Sequence, residues 1–543
     1  MYENIKISDS CPKDMFNYEF YYDIPIITPR DSVSFQVRKE VETYVRSKYA
    51  PGIYHNPEVV NSIIKDVFSF LNKKITPLIE KISCIELIVL LLDEYSKSCA
   101  VQEFFSRGIS SPNRAEWGER NGFRRSIKYL AEKMLEYFEE SKQVPMDVCV
   151  TDFELLIELT EVAFDFSIQS ATTYGISRER TSYELYKEYL NPYKPYYDFR
   201  IVDFDYDVFE KAKLLYRQFV EKNGGLHKDL YKKYEDSLEK EDNDESCINL
   251  LYIFKIFDIL KQLDSKNNNV FIAKNELKRI LIENHNIPLN CANLFFDIFS
   301  INKEGLKKEP RVIYGTKQKY RLKERFILEF VSNKTSYLLY TLEMLNEAYI
   351  ILHKSLCYNV LPDELKSKKM NDISAQITLS YGKEFEVYAN EFLKTKRFVG
   401  NMSKRKLPSG SIIPNDVGDI DFLGYSIDQQ RIVCFEFKNV FYSTDPLEYR
   451  DDLDKFIRKK DSYLNKFKKK IDLVKAHIGD LVNYYRQNDS VDLSTSQLIV
   501  GMLTYAPNIF RFFMTDCKCM SLAEFEVEWE QNPEQFFVNA VDD

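Results

Sequence analysis

Gly418-Asp419-Ile420-Asp421 and Glu436-Phe437-Lys438 set three carboxylates and a lysine on two short strand-like segments, with fourteen residues between Asp421 and Glu436. Carboxylate oxygens of this kind hold a hard divalent cation. A lysine beside them can orient a water and offset the charge that grows when a phosphodiester is hydrolysed. Strand alternation over residues 417–425 points Val417, Asp419, Asp421 and Leu423 one way, with Ile420 and Phe422 the other. In residues 431–439 the same rule groups Glu436 and Lys438 with Ile432 and Cys434, opposite Val433, Phe435 and Phe437. Charges gathered on one side of strands rich in Ile, Val, Phe and Cys are costly to bury without partners, and a bound metal accounts for them together.

The elements that must position these groups can be read on either side. A hairpin closed by a two-residue turn at Asp428-Gln429 puts Asp421 opposite Glu436, with Cβ atoms about 5 Å apart. Upstream, Gly382-Lys383-Glu384-Phe385-Glu386 opens an amphipathic helix whose buried stripe is Phe385, Ala389, Phe392 and Leu393, with Glu386 at its edge. Downstream, a charged helix from about Pro446 to Arg486 leads into the apolar run Gln497 to Thr504, then Phe512-Phe513-Met514.

At these residues the last third of the chain resembles the PD-(D/E)xK superfamily, the restriction-endonuclease-like nucleases, and within it the Mrr-type DNases. The resemblance implies a C-terminal α/β domain over residues 371–543 with an αβββαβ core and a mixed sheet. It implies that Asp421 and Glu436 bind Mg²⁺ or Mn²⁺ together with the Phe437 backbone carbonyl. It makes Lys438 the residue that orients or activates water, and Glu386 a helical acid that binds a second metal or orients the first. Asp419 shares the strand face and is the alternative aspartate, and Asp416 after Pro414 is a looser echo of the family's Pro-Asp. The activity implied is hydrolysis of DNA, in restriction or antiviral defence, with an RNase or a catalytically silent binding module on the same fold as alternatives. Many relatives act as dimers, so a homodimer or a defence-system partner protein is the protein partner implied.

The net charge of −9 looks unsuited to a nucleic-acid partner, but its distribution matters more than its sum. Lys455, Arg458, Lys459, Lys460, Lys466, Lys468, Lys469 and Lys470 fall on one predicted helix with Asp461 as the only acid among them. Lys404-Arg405-Lys406 precedes the hairpin. Lys404, Arg405, Lys406, Lys459, Lys466, Lys469 and Lys470 are therefore the candidate phosphate-backbone contacts; a solvated charged face is the plainer alternative.

Ten cysteines at wide spacing suit reduced thiols, and Cys517-Lys518-Cys519 lacks the second pair or histidine that a zinc site needs. Five histidines, none at ligand spacing, argue against His-based metal or triad chemistry. No apolar run reaches bilayer length and the start lacks a signal-peptide pattern, so a cytoplasmic protein with no membrane partner is expected.

Residues 1–370 are expected to form a mainly α-helical region for sensing, recognition or regulation, giving a multidomain protein with a sub-domain join near residues 224–246. Helical periodicity runs through Pro57 to Phe70, Arg124 to Phe138, Asp207 to Val220 and Lys323 to Leu356. Asp203 to Asp207 alternates like a calcium loop but has Leu214 where a closing Glu belongs; Asp205 or Asp207 reads better as a helix N-cap. Arg114, Arg120, Arg124 and Arg125 surround Trp117, most simply as charged turns about a buried ring.

Overall fold

In the computed structural model, the residues described are 16–21, 23–106, 114–140, 146–175, 181–185, 197–201, 206–223, 238, 245–263, 269–308, 322, 324–357, 361–440, 446–514 and 517–540. The chain divides into two compact units, residues 1–201 with 235–375, and residues 202–234 with 376–543. The second unit is thus larger than the segment 371–543 read from the sequence, because it draws in a stretch from the middle of the chain. The glycines 224 and 225, the acidic run apart from Leu238 and Glu245, Asp203, Asp205 and the side chains of Arg114, Trp117 and Arg120 lie outside what is described. Asp207 sits inside the helix Tyr206–Asn223 rather than at its cap.

The first unit is mostly helical with mixed sheets. Its long helices include Asp31–Lys48, Pro57–Ile82, Ile85–Ser106, Arg114–Tyr137, Met146–Gly175 and Glu245–Leu263. Asn56 caps the second of these by accepting from the Glu58 and Val59 N–H groups, ahead of Pro57 in the first turn. Buried acids tie helix to helix: Glu154 takes Arg30 at 2.7 Å and Glu158 takes the Ser34 hydroxyl at 2.7 Å. The stretch 323–356 is not one helix. Ile327–Ser332 and Thr335–Thr341 form a hairpin across Asn333 and Lys334, both at positive φ (48° and 64°), and only Leu342–Cys357 is helical. Strand pairing in a four-stranded sheet with Asn269–Ala273 and Ser300–Asn302 overrides the helical spacing there.

In the second unit we number the elements α1 (Tyr206–Asn223), α2 (Lys368–Thr395, of which residues 376–395 belong to this unit), β1 (Phe398–Ser403), β2 (Ile420–Ser426), β3 (Arg431–Lys438), α3 (Pro446–Leu453), α4 (Tyr463–Ala476), α5 (Ile478–Asp489), β4 (Ser494–Thr504), β5 (Lys518–Ser521), α6 (Leu522–Gln531) and β6 (Phe537–Asn539). The sheet order is β1-β2-β3-β4-β5, with β6 also on β4. The first three strands form an antiparallel meander; β3, β4 and β5 run parallel.

One face of this sheet is covered by α2 and α6. Phe385, Ala389 and Leu393 project from α2 onto Phe398, Phe422, Val433, Phe435 and Phe437, with Phe525 and Trp529 from α6. Phe219 of α1 is buried in the same core, which is why residues so far upstream belong to this unit. Between β1 and β2, Gly400 faces Gly424 so closely that a Cβ on Gly424 would lie 1.9 Å from the Val399 carbonyl oxygen. Only glycine fits there.

Three sequence expectations change. The α2 helix starts at Lys368, so Gly382 lies within it rather than at its start. The charged segment 446–486 is broken: a wide turn follows α3, Ser462 caps a new helix by accepting from Asn465 N–H, and His477 separates α4 from α5. Phe512 closes a 3₁₀ turn, and the strand that follows β4 is β5, at Lys518–Ser521.

Candidate active site

The β2–β3 hairpin has the expected register, Phe422 facing Phe435 through to Ser426 facing Arg431, but a four-residue loop, Ile427 to Gln430, closes it. Gln430 takes a positive φ of 50° and donates its N–H to Ser426 O at 3.0 Å, doing the work of the absent glycine. Continued by one residue, the register sets Asp421 against Glu436. Here the Phe437 N–H donates at 2.8 Å to Asp421 Oδ2.

Asp419 does not join them. The Pro414 carbonyl accepts from the Val417 and Gly418 N–H groups, Gly418 turns at φ 75°, and the strand begins only at Ile420, which leaves Asp419 exposed ahead of it. Asp416 is also exposed and pairs with Lys469 at 2.9 Å, which holds its carboxyl below the ordinary carboxylate value.

Asp421, Glu436 and Lys438 form one network. The Lys438 ammonium lies 2.7 Å from Glu436 Oε1, 3.0 Å from the Phe437 carbonyl and 3.5 Å from Asp421 Oδ2. Burial alone would lower the Lys438 pKa, but the charges of Glu436 and Asp421 outweigh it and hold the group above its ordinary value. Glu436 is 3% exposed. Burial and the Asp421 charge push it up, with Lys438 and Lys470 pulling against them.

Two groups in this centre were not assigned to it by the sequence. Lys470, read as a phosphate contact, is instead buried on α4 and donates to Glu436 Oε2 at 2.6 Å. Tyr463, at the start of the same helix, places its ring 5.2 Å from Lys438 Nζ and 5.4 Å from Lys455 Nζ. The signal was present: Tyr463, Phe467 and Lys470 are spaced as one helix face, and Phe467 is buried.

Glu386 on α2 is half-buried, and burial, then the Asp421 charge, raise its carboxyl above the ordinary value while Lys438 opposes. Lys404 opposes too. Lys404, Arg405 and Lys406 are all exposed, as are Lys459, Lys466 and Lys469.

A carbonyl and two carboxylates converging on one cation are the oxygen donors that Mg²⁺ or Mn²⁺ prefers, and the Lys438 ammonium occupies their focus. The donor set is thus of the kind a single hard divalent ion takes, with the Lys438 ammonium standing where that ion would lie. Among the described residues no group of three or more His, Cys, Asp or Glu side chains is placed to hold a metal, so Glu386 does not complete a three-carboxylate cluster with Asp421 and Glu436. Cys434, Cys517 and Cys519 are buried, and none of the three is in a disulfide. No described helix is long and apolar enough to cross a membrane.

Comparison with protein-family models finds no matching family, and comparison with the curated proteins and with the solved structures finds no match.

Proposed function

We propose that the chain is a metal-dependent nuclease that hydrolyses DNA phosphodiester bonds, in restriction or defence against foreign DNA. The observation that carries this reading is the convergence of Asp421, Glu436 and the Phe437 carbonyl on a single cation position held by Lys438. The order helix, three-stranded meander, helices, parallel strand is the one expected of a restriction-endonuclease-like core and supports it. Asp421, Glu436 and the Phe437 carbonyl would hold a divalent ion, and the chemistry it would supply when bound is Lewis-acid activation of the phosphate and the water. Lys438, displaced from that position when an ion takes it, would orient the water and offset the charge growing on the phosphate, and the exposed cations Lys404, Arg405, Lys406, Lys459 and Lys466 track the backbone.

The ion pairs of Lys438 and Lys470 already balance the two central carboxylates, which favours one other reading: a silent nucleic-acid-binding module on the same fold. Incubation of purified protein with duplex DNA, single-stranded DNA and RNA of matched sequence, with Mg²⁺, Mn²⁺ or EDTA, separates them. The nuclease reading expects metal-dependent cutting of DNA. Cutting of RNA alone would make it an RNase, and binding without cutting would favour the silent module.

A further inference from the structure

The carboxylate of Glu436 is shared between two lysines, and they take different oxygens. Lys438 holds Oε1 and faces Asp421, whereas Lys470 holds Oε2. Lys470 is 6% exposed and rises from the middle turns of α4, whose buried Leu464, Phe467, Ile471 and Val474 fix it against the sheet. Its side chain is almost wholly withdrawn from solvent. Glu436 thus offers one oxygen, not two, towards the cation position. Two-metal phosphoryl-transfer centres need carboxylate oxygens enough to hold a pair of ions about 4 Å apart. Here the donors that converge are Asp421 Oδ2, Glu436 Oε1 and the Phe437 carbonyl, and among the described residues no third carboxylate joins the group.

We infer that Lys470 is a positioning residue that takes the second oxygen of Glu436 and so limits this centre to a single divalent cation. The inference rests on the metal-dependent reading above and specifies it.

Calorimetric titration of the full chain with Mn²⁺, alongside electron paramagnetic resonance of the loaded protein, tests it on three proteins. Wild type is expected to bind one ion per chain with an uncoupled manganese signal. Lys470→Arg, which keeps the charge, is expected to do the same. Lys470→Met uncovers Oε2 and removes a positive charge, so its stoichiometry is expected to rise from one to two, with exchange coupling in the spectrum. Two ions in wild type, or one ion in a folded Lys470→Met protein, overturns the inference and leaves the nuclease reading standing. Absence of Mn²⁺ uptake by wild type overturns both. If Lys470→Met does not fold, the wild-type spectrum still decides, because a coupled pair there contradicts the assignment and an isolated ion supports it.

Discussion

The Phe437 N–H donates at 2.8 Å to Asp421 Oδ2, so the carboxylate near the start of β2 is fastened to the strand that carries Glu436 and Lys438. A side-chain oxygen takes over the pairing where the backbone ladder stops at Phe422 and Phe435. The same carboxylate therefore has two tasks, holding the hairpin end and facing the cation position.

Asn and Ala at Asp421 separate these tasks. The amide oxygen of Asp421→Asn can still accept from Phe437, so its circular dichroism should match wild type while Mn²⁺ affinity falls at least about tenfold. Asp421→Ala also leaves a buried N–H unpaired and should cost a further ~1–3 kcal/mol in denaturant unfolding. Equal stability of the two variants would show that the bond contributes nothing.

Phe219 tests the split make-up of the second unit. Its ring packs edge-on against Tyr388 and Phe392 of α2, and Tyr216 packs against Tyr505. Phe219→Ala should destabilise this unit by about 3–5 kcal/mol, read from chemical denaturation. A protein trimmed to residues 376–543 should expose that core and bind a hydrophobic dye, whereas a wild-type-like transition from it would contradict the assignment.

Much of this unit was legible because its signals are local. Alternation in β2 and β3 separated Glu436 and Lys438 from the Phe435 and Phe437 face, and the Phe385, Ala389, Leu393 stripe named the covering helix. The register is the expected one although the loop is longer, since shifting it by one residue would drive charges into the phenylalanine core. What could not be read depends on distance in the chain. Phe219 reaches a core whose other buried members lie more than a hundred and fifty residues onward, and Lys470 differs from Lys469 only in the side of α4 it occupies. Asp419 was misplaced because strand alternation was carried back through the turn that Pro414 and Gly418 make.

Glu386 gives a pH-dependent signature. Its folded-state pKa is raised, first by burial and then by Asp421, so ionising it weakens the fold as pH climbs from the ordinary carboxylate range through the raised value. Glu386→Gln removes that penalty. Its melting temperature should exceed wild type at neutral pH, and the gap should close as pH falls below the ordinary carboxylate pKa. A gap that is constant with pH, or reversed at neutral pH, would contradict this electrostatic placement.

Gly424 probes the meander that holds the centre. A Cβ at this position would sit only 1.9 Å from Val399 O, so Gly424→Ala must push β1 from β2. The expected loss is roughly 1–3 kcal/mol or more by thermal unfolding. An unchanged transition would mean that the strands do not approach as closely as described.

Cleavage of supercoiled plasmid by wild type and Lys438→Ala, each with Mg²⁺, Mn²⁺ or EDTA, bears most directly on the central claim. The geometry predicts nicking or linearisation by wild type with metal, none with EDTA, and a fall of at least ~100-fold in the folded variant. Cutting that persists in EDTA, or that survives Lys438→Ala undiminished, would contradict the assignment of Asp421, Glu436 and Lys438 as the hydrolytic centre.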